Sequence, residues 1–141
     1  MSNSKIIFTF QDANGDCHIE NLWASNTGTC YRIENIPFFT PGVAYGDIIS
    51  VTDKEGDLHY ESTIESSGHS TIQMVFTHEE YIPEVMLELE KLGCIWEASH
   101  SRQLVAVDVP FDVQYPLVLQ YLERGEENGK WTFKEACIMH Y

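Results

Sequence analysis

The sequence predicts an α+β fold in which a sheet of short strands precedes a unit that mixes strands with helices. Three observations carry that expectation. Alternating apolar and polar runs, split by turns rich in Gly, Asn and Asp, fill the first half of the chain. No stretch there has helical spacing. Past Ser66-Ser67-Gly68-His69-Ser70-Thr71 the period changes, and an apolar strand, an amphipathic helix and another strand follow each other twice. The chain therefore divides at this hinge into residues 1–67 and residues 68–141.

Ile6, Phe8 and Phe10 alternate with Ile7 and Thr9, which is the period of a strand, and Asn14-Gly15 then turns the chain back. Asp12, Asn14 and Asp16 resemble the start of a calcium loop, but the required Gly falls on Cys17 and the closing Glu on Trp23. Calcium is rejected. A second strand runs from near Cys17 to Ser25 and a third from Cys30 to about Ile36, joined through Asn26-Thr27-Gly28. Pro37-Phe38-Phe39-Thr40-Pro41-Gly42 cannot continue a central strand, so it reads as a loop that must bury Phe38 and Phe39. Asp47 to Val51 and Leu58 to Glu65 complete a set of five short strands, with a turn around Gly56 between them. Such a set fits a small barrel-like sheet, either an open barrel or one strongly curved sheet.

Beyond the hinge, Ile72 to Thr77 is an apolar strand. Thr77 with Glu80 can form a capping box, or Pro83 can mark the first turn of a later-starting helix. Ile82, Val85, Met86, Leu89 and Leu92 then share one helix face, Glu84, Glu88 and Lys91 share the other, and Gly93 stops the helix. Cys94 to Ser99 and Gln103 to Val109 are strands ended by Pro110. Asp112 is placed to cap a second helix whose buried stripe is Leu117, Val118, Tyr121 and Leu122. Gly125 to Lys130 reads as a polar loop and Trp131 to Met139 as the last strand. The order βαββαβ is that of a ferredoxin-like sandwich, with two helices on one face of an antiparallel sheet.

Eight Lys and Arg against 22 Asp and Glu give a net charge of −14. That field repels phosphate backbones and anionic lipid, so neither nucleic acid nor a membrane surface is an expected partner, and a basic protein is. The polar start and the lack of an h-region or apolar span lead to the expectation of a cytoplasmic protein. Cys17, Cys30, Cys94 and Cys137 are widely spaced and read as reduced thiols.

Candidate sites are few. Ser67, His69, Ser70 and Thr71 crowd hydroxyls around an imidazole, which is half of a nucleophile and base pair. The hydrolase elbow is absent, because its second Gly would stand at Ile72. Backbone satisfaction at the crossing between the two halves is the expected role of this cluster. Asp108 interrupts the apolar run Val105 to Val109, where it is expected to pair locally with backbone donors at the start of the following helix, although a contact with His69 is conceivable between neighbouring strands. Cys137 and His140, like Cys17 and His18, are badly placed to share one metal ion, and no metal or cofactor is expected. Trp23, Phe38, Phe39, Tyr45, Trp96 and Trp131 are expected in the core.

Asn35-Ile36-Pro37-Phe38-Phe39, Tyr45-Gly46-Asp47, Ser67-Gly68-His69-Ser70-Thr71 and Ala106-Val107-Asp108-Val109-Pro110 together resemble a bacterial family of small proteins, a domain of unknown function. The resemblance implies a bacterial, cytoplasmic domain and transfers no reaction. Two functional expectations follow from charge and missing motifs. The first is an immunity protein or antitoxin that occludes a basic toxin domain, using Glu84, Glu88, Glu123, Glu126 and Glu127. The second is a small-molecule-binding regulator or enzyme in the crevice between the two halves, with His69, Ser70 and Asp108 at its mouth.

Overall fold

The computed structural model describes residues 3–140, so Met1 and Ser2 of the polar start and Tyr141 lie outside the described residues. The chain is mixed α+β, with two sheets and two α-helices. The first sheet holds β1 (Asn3–Gln11), β2 (Cys17–Asn26), β3 (Tyr31–Ile33), β4 (Ile48–Lys54) and β5 (Asp57–Glu65). Neighbouring strands pair antiparallel in chain order, and a parallel pairing of Ile6 with Leu58 and Ile7 with His59 closes β5 onto β1. The strands form a ring rather than an open sheet. Ile6, Phe8, Leu22, Ala24, Ile33 and Ile49 fill it, and Phe8 stacks on Tyr60 with ring centres 4.8 Å apart. The β4–β5 turn places Glu55 at φ 55° and Gly56 at φ 92°, the left-handed pair that a two-residue hairpin needs.

β3 is shorter than its sequence suggests, because the chain leaves the sheet at Glu34 and runs as an irregular segment to Asp47. Glu20 on β2 organises this segment. Its carboxylate accepts the backbone N–H groups of Phe38, Phe39 and Thr40 and the Thr40 hydroxyl, at 2.7 to 3.2 Å. Held this way, Phe38 is half-buried and Phe39 is 54% exposed, so the expected burial of both rings is corrected for Phe39. Trp23 likewise stands 47% exposed, outside the core, under Lys5.

The second sheet has the order β7-β8-β6-β9, from β6 (Ser70–Phe76), β7 (Ile95–Ala98), β8 (Leu104–Val109) and β9 (Trp131–Cys137). α1 (Ile82–Lys91) follows a short 3-10 turn at Glu79–Tyr81 and has Pro83 in its first turn. The Thr77 hydroxyl bonds the carbonyls of Gly129 and Lys130 and caps nothing, which decides between the two starts the sequence allowed. Val85, Met86 and Leu89 of α1 and Val118 and Leu122 of α2 (Tyr115–Glu127) pack on Ile72, Met74, Phe76, Val105, Val107 and Val109. Each such aliphatic side chain contributes roughly 1.5–3 kcal/mol on full burial.

Three expectations for α2 are corrected. Its N-cap is Gln114 and makes no side-chain cap bond, so Asp112 does not cap it. Leu117 is 48% exposed, and Tyr115 takes its place in the buried stripe. The helix also runs through Gly125 to Glu127 instead of breaking there. Gly125 is buried against the Trp131 ring, whose Nε1 donates to the Leu122 carbonyl at 3.0 Å. A flat ring needs a residue without a side chain beneath it, and that need overrides the helix-breaking tendency of glycine.

Candidate functional site

The strand period explains how a carboxylate comes to lie between the two sheets. On β8, Val105, Val107 and Val109 point to the helices, which leaves Ala106 and Asp108 on the opposite, equally buried face. That face is covered by the 34–47 segment. Ile36 N–H donates to Glu97, Gly42 N–H to the Ala136 carbonyl, Gln73 to the Pro37 carbonyl and Thr71 to the Val43 carbonyl. Asp47 braces the crossing itself, accepting Ala44 N–H and Ser67 N–H at 3.0 and 2.9 Å. Gly68, at φ +80°, turns the chain so closely past Phe111 that an added Cβ would stand 3.1 Å from the Phe111 Cβ.

The β6–β8 register places Thr71 opposite Asp108 and so brings His69 within reach of it. His69 Nδ1 and Asp108 Oδ2 are 2.8 Å apart. Asp108 is fully buried, and burial pushes its carboxyl up to about 6 against the opposing pull of the His69 hydrogen bond. The short contact is that of an imidazole Nδ1–H donating to a carboxylate oxygen, the arrangement that pulls against the effect of burial. The other ring nitrogen, Nε2, makes no hydrogen bond to the described residues. Nor is it sealed, because Asp108 Oδ1 is the one buried side-chain polar atom without a partner among the described residues. Tyr45 and Phe111 flank the imidazole at 6.1 and 6.2 Å between ring centres.

The expected local pairing of Asp108 with backbone donors is thus replaced by a bond to a side chain 39 residues away. Ser70 does not join the pair. It is fully buried, accepts Met139 N–H at 2.9 Å and donates to His140 Nδ1 at 2.6 Å. His140 Nε2 in turn donates to the Pro110 carbonyl at 2.8 Å, and Tyr115 stacks on the His140 ring. Gly68, Phe111, Tyr115, Met139 and His140 line a cleft of about 590 Å³ at the first turn of α2; all its lining residues belong to the second half, and His69, Ser70 and Asp108 are not among them, which corrects the expected crevice between the halves. His140, Tyr45 and Phe111 were missed as neighbours of this site because nothing in the local sequence ties them to it.

The acidic residues expected at a partner face behave differently. Glu84, Glu123 and Glu127 are exposed on the helices. Glu88 pairs with Lys91 at 3.0 Å, and Glu126 accepts Phe133 N–H. Lys91 and Arg124 interleave with Glu88 in the groove between the helices, so the surface there is mixed in sign. The acid surplus is also not local. Residues 1–67 hold ten acidic and three basic side chains, and residues 68–141 hold twelve and five.

A ring of strands joined to a helix-covered sheet, with a histidine and aspartate bonded where the two meet, defines a mixed α+β protein with a candidate site at that bond. The chain belongs to the family described as domain of unknown function DUF4265, whose model matches residues 20–133. It is also similar to the crystal structure of a hypothetical protein from Neisseria gonorrhoeae, with a TM-score of 0.88 at 22% identity over 98% of this chain and 96% of that one. At that identity the likeness is one of fold. No curated protein matches the chain. No helix among the described residues is long and apolar enough to cross a membrane.

Proposed function

We propose that the protein binds a small ligand at the junction and moves a proton at His69, as a small acid–base enzyme or a ligand-binding regulator. The observation that carries this reading is the 2.8 Å bond from His69 Nδ1 to Asp108. A carboxylate at Nδ1 fixes the tautomer and leaves the Nε2 lone pair facing outward, the form in which imidazole accepts a proton. Asp47 and Asp108 lie close to the site, and the chain carries a net charge of −14, so the ligand is neutral or cationic rather than a phosphate. The strand order β7-β8-β6-β9 with both helices on one face supports a ferredoxin-like arrangement for the second unit and a barrel-like one for the first. Four free cysteines suit a reducing compartment such as the cytoplasm.

The test is a thermal-shift screen of small neutral and cationic metabolites on the native protein and on His69→Ala. Ligands of this site should raise the melting temperature of the native protein and leave that of a folded His69→Ala unchanged. If His69→Ala folds and keeps every ligand and activity of the native chain, the reading fails.

The net charge of −14 favours a second reading, an immunity protein that occludes a basic toxin domain. Because the acid is spread over both halves, such a partner would be steered by the whole surface and not by Glu84, Glu88, Glu123, Glu126 and Glu127 alone. Co-expression with the product of the adjacent gene would relieve growth arrest and yield a salt-sensitive complex under this reading. A harmless neighbour and no complex would remove it.

A further inference from the structure

We propose a second ligand site, for small monocarboxylic acids with an aromatic or aliphatic body, in the groove where the rim of the first sheet meets β9. This groove has a volume of about 360 Å³ and is lined by Phe10, Asp12, His18, Ile19, Phe39, Gln73 and Lys134. It shares no lining residue with the cleft at the first turn of α2 and does not depend on what His69 does.

Its apolar wall is held in the open. Ile19 is 68% exposed and Phe39 54% exposed. Phe39 is not on a slack loop, because Glu20 fixes its own N–H and those of both its neighbours. An aromatic residue on a braced backbone and an exposed isoleucine lining the same groove form a partly preorganised apolar slot, which lowers the ordering cost of binding a hydrocarbon body.

The polar groups select the head of the ligand. Gln73 is 8% exposed and its Nε2 is committed to the Pro37 carbonyl. Its Oε1 has no partner and is not sealed, so it opens into the groove it lines. Lys134 is the cross-strand neighbour of Gln73 and has no carboxylate within 4.0 Å among the described residues, in a chain with 22 acidic residues. Asp12, the one carboxylate in the lining, is largely engaged. Its Oδ1 accepts the N–H groups of Asn14 and Asp16 and its Oδ2 bonds His18 at 2.8 Å. The open groups are thus an ammonium, a second imidazole nitrogen and an amide oxygen. The Lys134 ammonium is the donor among them, and an ammonium with no carboxylate partner beside a hydrocarbon slot matches a carboxylate head on an apolar body.

Amide NMR shifts of the full chain, titrated with 3-phenylpropionate and octanoate against 3-phenylpropanol and phenethylammonium, test this directly. The acids should move the amides of Phe10, Ile19, Phe39 and Gln73 on one saturating curve. Lys134→Gln should weaken the acids about tenfold, the worth of one charge-assisted hydrogen bond, and leave the alcohol unchanged. Phe39→Ser should weaken all of them. Millimolar acid that leaves these amides still, shifts that centre on Phe111 and Met139, or phenethylammonium binding as tightly as the acids would each overturn the proposal.

Discussion

Replacing Asp108 by Asn should remove a pH dependence of stability that the native protein carries. Burial raises the Asp108 carboxyl from 3.8 to about 6, so the fold binds this proton more tightly than the unfolded chain does. Its contribution to stability is therefore fully present below pH 3.8 and is lost as the pH rises through about 6. The gap is worth roughly 3 kcal/mol, at about 1.4 kcal/mol for each tenfold change in proton affinity. Asn cannot ionise. Its oxygen still accepts from His69 Nδ1, while its amide donors replace the partnerless Oδ1 and add an offset of about 1–3 kcal/mol that does not vary with pH. The diagnostic is thus the change in the difference between the two proteins. Urea unfolding from pH 4 to pH 7.5 spans most of that gap and should shift the difference by roughly 2.5 kcal/mol in favour of Asn at the higher pH. In a His69→Ala background the shift should grow, because the imidazole that opposes the raised carboxyl is gone. Parallel curves for native and Asp108→Asn would refute the reasoning.

Two further substitutions probe the frame around the sites. Glu20→Ala strands the N–H groups of Phe38, Phe39 and Thr40, and urea unfolding should record a loss of roughly 2–4 kcal/mol. A loss under 1 kcal/mol, as order-of-magnitude reasoning sets the scale, would mean the loop does not depend on that brace. Gly125→Ala adds a methyl group where the Trp131 ring lies, so a drop of about 3 kcal/mol or more is expected, although alanine is the better helix former. Stabilisation by this variant, read from its thermal melt, would contradict the packing.

How much of this was legible in the sequence depends on how far apart the cooperating residues are. Alternation fixed β1, β2 and β5, and helical spacing identified Val85, Met86 and Leu89 as the buried face of α1, because each pattern is complete within a few residues. The end of α2 was misread because Gly125 answers to Trp131, whose ring covers it from the next strand. Phe39 was misread for a similar reason, since the carboxylate that holds it in the open stands 19 residues earlier. The closing pair of the ring, Ile6 with Leu58, joins strands from opposite ends of the first sheet and leaves no local mark. His69 and Asp108 stood out as odd residues in their surroundings, but their bond follows from register, which periodicity does not supply.

Two buried aspartates at the junction show why one reads as a brace and the other as a site. Asp47 is 3% exposed and both of its oxygens accept backbone N–H groups, one from Ala44 and one from Ser67. That is what holding two sheets together requires, and it involves no titratable partner. Asp108 is more deeply buried, yet it bonds one titratable ring and leaves Oδ1 with nothing. An apolar residue at that position would stabilise the fold more, since an unpaired buried acceptor costs about 1–3 kcal/mol. Structural need is met by Asp47 and does not account for Asp108. The proposed role of His69 would account for it, because a buried, incompletely bonded carboxylate that orients an imidazole is what a proton-transferring site requires.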